Sequence, residues 1–233
     1  MEVRLVKSFS FEAAHSHDLP GTEETPVHGH SFRVDAVVSG PVDPRTGWVI
    51  DFARIKEAVS PVISLVDHRF LDEIEGLESP SSENVARWIQ ERVRPPLRPY
   101  DTEILVYCRE ETRPQIESLE SDSGLSLPER LGLRFEAAHH LPRTPEGHKC
   151  RRLHGHSYRL EVGGAAPEVA RPVLEKLFER VDHRNLNEVE GLENPTAEVT
   201  CRAFWDWFIQ ESVKPECVVL SETCESRCLY FGD

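Results

Sequence analysis

No apolar run in this chain approaches the ~18 residues that a membrane-spanning helix needs. The start, MEVRLVKSFSFEAAH, alternates in character where a secretory signal would carry a continuous apolar core. Both absences predict a soluble protein that is not exported, with the cytoplasm as its home. Positive charge is also scarce: 27 Lys and Arg stand against 41 Asp and Glu, for a formal net charge of −14. That balance argues against a nucleic-acid or anionic-membrane surface, since each needs basic patches. Any anionic ligand must find local positive charge. The six cysteines contain no CxxC spacing, and without a secretory signal they read as reduced thiols and not as a disulfide framework. Hydrophobic residues are 39% and charged residues 29% of the 233, against roughly 45–50% and about 25% in typical domains. The chain is somewhat polar, yet it has enough apolar residues for a core.

What the sequence does have is a second copy of itself. FEAAH occurs at Phe11–His15 and Phe135–His139, HGHS at His28–Ser31 and His154–Ser157, and VDHR at Val66–Arg69 and Val181–Arg184. The order is the same in both, and EIEGLESP is echoed by EVEGLENP, so the chain reads as a tandem duplication. The offset between copies is 124 at FEAAH, 126 at HGHS and 115 from VDHR onward. A segment of the first copy, GPVDPRTGWVIDFARIK, therefore shrinks to GGAAPE in the second; its Pro, Gly and Asp predict a turn joining two strands. Residues 112–132 are rich in Ser, Glu and Pro and suit a surface connection. The expected division is a first module over 1–115, a linker over 116–130 and a second module over 131–233.

Each copy predicts the order strand, strand, helix, helix, strand. Phe32, Val34, Ala36 and Val38 alternate after the first HGH, as Tyr158, Leu160 and Val162 do after the second. Val169, Val173, Leu174, Leu177, Phe178 and Val181 recur at helical steps behind Pro167. A further helix with Val199, Ala203, Trp207 and Phe208 on its apolar face follows Pro195, with Asn194 or Thr196 as N-cap. Cys217–Leu220 reads as the last strand. Antiparallel strands with helices on one face make an α+β unit.

All eleven histidines fall in or beside the repeated motifs. On a strand, residues i and i+2 share a side, so His154 and His156 can aim at one point while Gly155 keeps the other side small. His139 completes the set if FEAAH pairs with HGH. Three neutral imidazoles leave one position of a tetrahedral zinc open, the arrangement of catalytic sites. The same argument selects His15, His28 and His30. Taken singly an HxH is more often a surface pair; its duplication together with FEAAH favours a metal site. His17, His140 and His148 lack counterparts and stay outside the ligand set. Cys150 stands four residues before His154 among Lys149, Arg151 and Arg152, whose charges are expected to lower the thiol pKa. Those cations could also receive phosphates. Asp182-His183 and its echo Asp67-His68 could move protons, and Glu222 could accept two hydrogen bonds from an amidine-like ring edge.

Together, FEAAHHL, C-x3-HGHSY, VDHRNLN, NPTAE and SETCESRCLY resemble the 6-pyruvoyltetrahydropterin synthase and 6-carboxytetrahydropterin synthase family, twice over nearly the whole chain. The resemblance implies two tunnelling-fold modules. It implies zinc on His139, His154 and His156, proton transfer by Cys150, Asp182 and His183, and a pterin held by Glu222, with Thr196, Arg151 and Arg152 as further substrate contacts. The C-x3-HGH spacing and the SETCESRCLY ending look more like the 6-carboxytetrahydropterin synthase branch of queuosine biosynthesis. The implied substrate is 7,8-dihydroneopterin triphosphate, and the implied activity is that of a lyase. The family's rings of three subunits stacked in pairs imply a homotrimer of two-module chains, with first-copy groups such as Asp67 and His68 open to the second-copy site.

The first copy departs from the pattern. Glu24 stands where Cys150 does, and VYCREE puts Cys108 or Arg109 near the Glu222 position, so its pterin anchor is expected to be lost. Its histidines His15, His28 and His30 are kept. Other readings are a 6-pyruvoyltetrahydropterin synthase, an aldolase-like cleavage with Glu24 as base, or a non-catalytic zinc-containing pterin-binding protein.

Overall fold

Alternation of apolar and polar residues writes two long strands at the start of each copy, and these carry the rest of the fold. A computed structural model describes residues 2–17, 25–100, 102–110, 116–122, 124–223 and 226–232. In the first half, β1 (Glu2–His17) and β2 (Thr25–Pro41) run antiparallel, with Ala13 opposite His30 and His15 opposite His28. Then come α1 (Phe52–Val66), β3 (Arg69–Phe70), α2 (Ser82–Leu97) and β4 (Glu103–Glu110). The sheet order is β3-β1-β2-β4. The second half holds β5 (Glu117–Leu119), β6 (Arg130–His139), β7 (His154–Gly163), α3 (Pro167–Val181), β8 (Arg184–Asn185), α4 (Ala197–Gln210), β9 (Cys217–Ser221) and β10 (Arg227–Tyr230). Its order is β10-β9-β7-β6-β5, with β8 beside β6. The fold is α+β, made twice from antiparallel sheets with two helices each.

One face of each sheet is apolar at every second residue, and the helices cover it. Phe11, Phe32, Val34, Ala36 and Val38 pack on Ile55, Val59, Val85 and Ile89; Phe135, Tyr158, Leu160 and Val162 pack on Leu174, Leu177, Phe204 and Phe208. Burial of each large apolar side chain stabilises the fold by roughly 1.5–3 kcal/mol. The helices start where their caps allow. Asp51 accepts from Ala53 N–H at 2.8 Å, Thr196 from Val199 N–H at 3.3 Å, and Pro167 opens α3.

Four details differ from the sequence expectation. The Pro/Gly turn of the first copy closes on itself, with Asp43 bonded to Gly47 and Trp48, and leads into α1 without a second strand. The segment between the copies contributes β5 to the edge of the second sheet. The C-terminal end adds β10 as a hairpin on β9. Val169 and Val199, assigned to apolar helix faces, are exposed; each lies in the first turn of its helix, ahead of the packed stretch.

The uncovered faces of the two sheets meet each other at the HGHS motifs. Gly29 and Gly155 lie backbone to backbone, so close that a Cβ on either would overlap the other's Cα. Only glycine permits that approach. Beside them Ser31 N–H donates to Ser157 Oγ at 3.0 Å, and Ser157 N–H donates to Ser31 Oγ at 3.3 Å. The two copies thus face one another across a local pseudo-twofold axis.

Candidate functional site

The period of two that buries Phe32 and Tyr158 also turns His28, His30, His154 and His156 to the helix side of their sheets. There they meet His15 and His139 from the neighbouring strands. In the second half the ring centroids of His139, His154 and His156 are 4.5, 5.0 and 5.1 Å apart. In the first half, those of His15, His28 and His30 are 4.6, 5.0 and 4.9 Å apart. Within each trio the ligating atoms all lie within 4.8 Å of one another, and all six histidines are buried.

The hydrogen bonds behind the rings decide what the rings present. His139 Nδ1 faces the Pro195 carbonyl at 3.0 Å and His154 Nδ1 faces the Arg152 carbonyl at 2.7 Å. A carbonyl only accepts, so each Nδ1 carries the proton and each Nε2 is left with a lone pair. Those two Nε2 atoms face each other at 3.1 Å. Burial holds the imidazoles neutral, moving His154 and His156 down to about 3 and His139 well below its ordinary value. Two buried lone pairs converging without a proton between them call for a cation, so the donor set fits a metal ion. Three nitrogens suit zinc and its neighbours in the transition series. The first-half trio has the same orientation, with Nδ1 of His15 on the Pro80 carbonyl at 3.2 Å and of His28 on the Pro26 carbonyl at 2.7 Å.

Each trio is completed by the other half of the chain. His68, from the first half, stacks on His154 at 4.5 Å, and the ligating atoms of His68, Cys150 and His154 lie within 4.8 Å of one another. Asp67 Oδ1 accepts from His68 Nδ1 at 2.9 Å and from Glu12 N–H at 3.2 Å. Burial pushes the Asp67 carboxyl upward, but the bonds from His68 and Glu12 outweigh it and keep it below its ordinary value. Conversely, His183 lies against His28 with ring centroids 4.3 Å apart and planes tilted by 38°, and its Nδ1 is 2.7 Å from Asp182 Oδ2. The hydrogen bond to Asp182 raises the His183 pKa. Asp182 and His183, expected beside Cys150, face the first-half histidines instead, while Asp67-His68, the first-copy pair open to the second-copy site, is the one that lies beside Cys150. The reason lies at the ends of α1 and α3. His68 and His183 both adopt left-handed backbone (φ 54° and 53°), each pinned by its N–H to the carbonyl of Glu12 or Glu136 at 2.6 Å. This strained turn aims the ring across the interface.

The Cys150 thiol is also corrected. Burial raises its pKa, with Glu222 and Asp67 adding to the rise, while Lys149 and Arg152 pull it down without prevailing. Cys150 follows His148, whose ring accepts from the Cys150 N–H at 3.2 Å. Arg152 Nε donates to the His68 carbonyl at 3.0 Å, and Lys149 Nζ lies 3.8 Å from Asp67. Arg151 instead bonds to the Thr144 carbonyl at 2.7 Å, and Thr196 caps α4. Beside Asp67 and His68 opens a cavity of about 470 Å³, walled by Phe9, Glu12 and Arg33 of the first half and Lys149 and Thr223 of the second. Glu222, half-buried before Thr223, is raised to about 7 by burial and then by Glu198 and Glu12.

Strand register locates the first-half counterpart of Glu222. Arg109 pairs with Arg33 as Ser221 pairs with Arg159, so the next residue, Glu110, matches Glu222. The anchor position expected at Cys108 or Arg109 holds a carboxylate after all. It lies 4.0 Å from His30 Nε2 and accepts from Ser82 Oγ at 2.9 Å. Glu24 lies outside the described residues, as do the side chain of His17 and all of Cys224. Sequence reading missed Glu12, Glu136, Ser31 and Ser157, although all four sit inside the duplicated motifs FEAAH and HGHS.

A family model described as 6-pyruvoyl tetrahydropterin synthase matches residues 4–117 and again 131–233. Dihydroneopterin monophosphate aldolase of Pyrococcus furiosus is 39% identical over 94 residues, which are 40% of this chain and 77% of that protein. The 6-carboxy-5,6,7,8-tetrahydropterin synthase of a Synechocystis species is 41% identical over 92 residues, 36% of this chain and 70% of that protein. Among solved structures, the 6-pyruvoyl tetrahydropterin synthase of Caenorhabditis elegans aligns at a TM-score of 0.40 and 26% identity, over 48% of this chain and 97% of that one.

Proposed function

Since the chain belongs, in both of its halves, to the 6-pyruvoyl tetrahydropterin synthase family, we propose that it is a zinc-dependent lyase of the second-half site. It converts 7,8-dihydroneopterin triphosphate and water into 6-carboxy-5,6,7,8-tetrahydropterin, acetaldehyde and triphosphate. The observation that carries this reading is the meeting of Cys150 with His68 and His154 beside a cavity of about 470 Å³, a volume within the range of small-molecule sites.

Zinc, held by His139, His154 and His156, would supply Lewis-acid polarisation of the substrate's side-chain oxygens. The protein's own residues do the rest. Cys150 rests as a thiol within reach of the His68 and His154 rings; His154 would hold the zinc, so His68, which Asp67 orients, takes the thiol proton and returns it. The sulfur and His68 then exchange protons with the side-chain carbons beside the developing carbonyl. Glu222 accepts the paired N–H groups of the pterin ring edge and so sets which carbon faces Cys150. Lys149, which lines the cavity, and Arg152, bonded to the His68 carbonyl, receive the phosphates as they leave.

A second reading is favoured by one observation, the aldolase name of the Pyrococcus furiosus relative. On this view side-chain carbon–carbon cleavage occurs in the first-half site with Glu24 as base, before any loss of phosphate. The test incubates zinc-loaded protein with dihydroneopterin triphosphate and follows triphosphate and acetaldehyde. Cys150→Ala should abolish both products while pterin binding persists. Binding without turnover would defeat the proposal, and release of a phosphorylated aldehyde lost in Glu24→Ala would favour the second reading.

A further inference from the structure

Glu12 and Glu136 occupy matching places in the two FEAAH strands, and each is tied to both halves of the chain. The backbone of Glu12 holds the Asp67-His68 pair: its N–H donates to Asp67 Oδ1 at 3.2 Å and its carbonyl accepts the His68 N–H at 2.6 Å. The side chain of Glu12 points the other way. Its Oε2 accepts from His156 Nδ1 of the second half at 2.9 Å and from Ser31 Oγ at 2.7 Å. Glu136 repeats every bond in mirror order. Its N–H donates to Asp182 at 2.9 Å, its carbonyl accepts from His183 N–H at 2.6 Å, and its Oε2 meets His30 Nδ1 at 3.0 Å and Ser157 Oγ at 2.6 Å. Both side chains are buried.

The other histidines of each trio rest on backbone carbonyls of their own half: Pro80 and Pro26 in the first, Pro195 and Arg152 in the second. His30 and His156 instead point Nδ1 at a side chain, and among the described residues that side chain comes from across the interface. We propose that Glu12 and Glu136 are reciprocal positioning residues, each fixing one ligand of the opposite half's metal centre so that neither centre is complete within one half. A carboxylate behind Nδ1–H sets the tautomer, holds the ring and makes Nε2 a stronger donor; removal of such a partner typically lowers metal affinity about 10- to 100-fold. Through the same residue, the acid-base pair is placed relative to the ligand it serves.

This inference rests on reading the trios as metal centres, and one experiment separates the two. Zinc affinity is measured by competition with a chromophoric chelator in full-length chains that keep a single trio, His28→Ala retaining the second-half centre and His154→Ala the first. In the His28→Ala chain, Glu12→Ala should weaken zinc about 10- to 100-fold, while Glu136→Ala changes it less than about threefold; in the His154→Ala chain the effects should exchange. Glu12→Gln, which keeps an acceptor for His156, should recover most of the affinity and serves as the folded reference if the alanine variant does not fold. A Glu12→Ala effect on its own half's centre, or on neither, overturns the inference while leaving the centres intact. Failure of the unsubstituted protein to bind zinc overturns the metal reading itself.

Discussion

The back-to-back contact of Gly29 and Gly155 makes Gly155→Ala the most exacting perturbation of the interface. The added Cβ would overlap the Gly29 Cα and stand 2.8 Å from the Ala137 carbonyl oxygen and 2.9 Å from the Gly29 carbonyl carbon. Every one of these neighbours is backbone, so no rotamer change relieves the clash, and ordinary contact requires the sheets to part by on the order of 1 Å. Four bonds cross this interface beside the glycines: His156 to Glu12 at 2.9 Å, His30 to Glu136 at 3.0 Å, and the Ser31/Ser157 exchange at 3.0 and 3.3 Å. A shift of about 1 Å takes all of them beyond hydrogen-bond length. At a net ~1 kcal/mol each, the loss is roughly 4 kcal/mol. Keeping the bonds and bearing the overlap instead costs about 1–3 kcal/mol or more. The chain takes whichever is cheaper, so a destabilisation of roughly 3 kcal/mol is expected, a large part of the ~5–15 kcal/mol available to a folded domain. Urea unfolding followed by circular dichroism measures it, with Gly124→Ala in a surface turn as the control. If Gly155→Ala unfolds within about 0.5 kcal/mol of the unsubstituted chain, within the range of neutral surface changes, and both centres still take metal, the facing arrangement of the sheets is wrong.

Glu222 binds a ring edge only as a carboxylate, and its pKa is raised to about 7. Pterin affinity should therefore rise as pH increases through 7 and level off above it, falling about tenfold per unit below. Glu222→Gln should flatten that profile; a fluorescence titration of the unsubstituted protein that is already flat between about pH 5.5 and 8 would rule out the anchoring role. Elemental analysis should find two metal ions per chain, one in His28→Ala and one in His154→Ala; loss of both from either single variant would mean that the trios do not load separately. In sedimentation, three chains of 26.6 kDa should travel together, and a monomer at micromolar concentration would refute the ring assembly.

Much of the site could be read before the fold. The duplicated FEAAH and HGH, with the period of two on a strand, select His15, His28, His30, His139, His154 and His156, and register brings those six into two trios. The position of Cys150 before HGH likewise puts it beside one trio. The expectation that fails is the placement of Asp182 and His183 in the second-copy site, to which the first-copy pair Asp67-His68 is also open. Asp182 and His183 are close to the second trio in sequence, but a left-handed turn after α3 sends them to the first. Glu12 and Glu136 look like the polar residues of half-exposed strands until the facing sheet removes their solvent. The raised Cys150 thiol has the same origin, since neighbouring cations are visible in a sequence and burial is not.

The linear order of residues was enough to determine that this chain is two related α+β units, and which imidazoles share a strand face, because strand periodicity and duplication are local properties. The packing of one sheet against the other decided which acid-base pair meets which trio, where the carboxylates behind His30 and His156 come from, and that the cavity is walled by both halves. Those contacts join residues 84 to 155 positions apart, and they exist only because two glycine backbones come close enough for the flanking side chains to reach across.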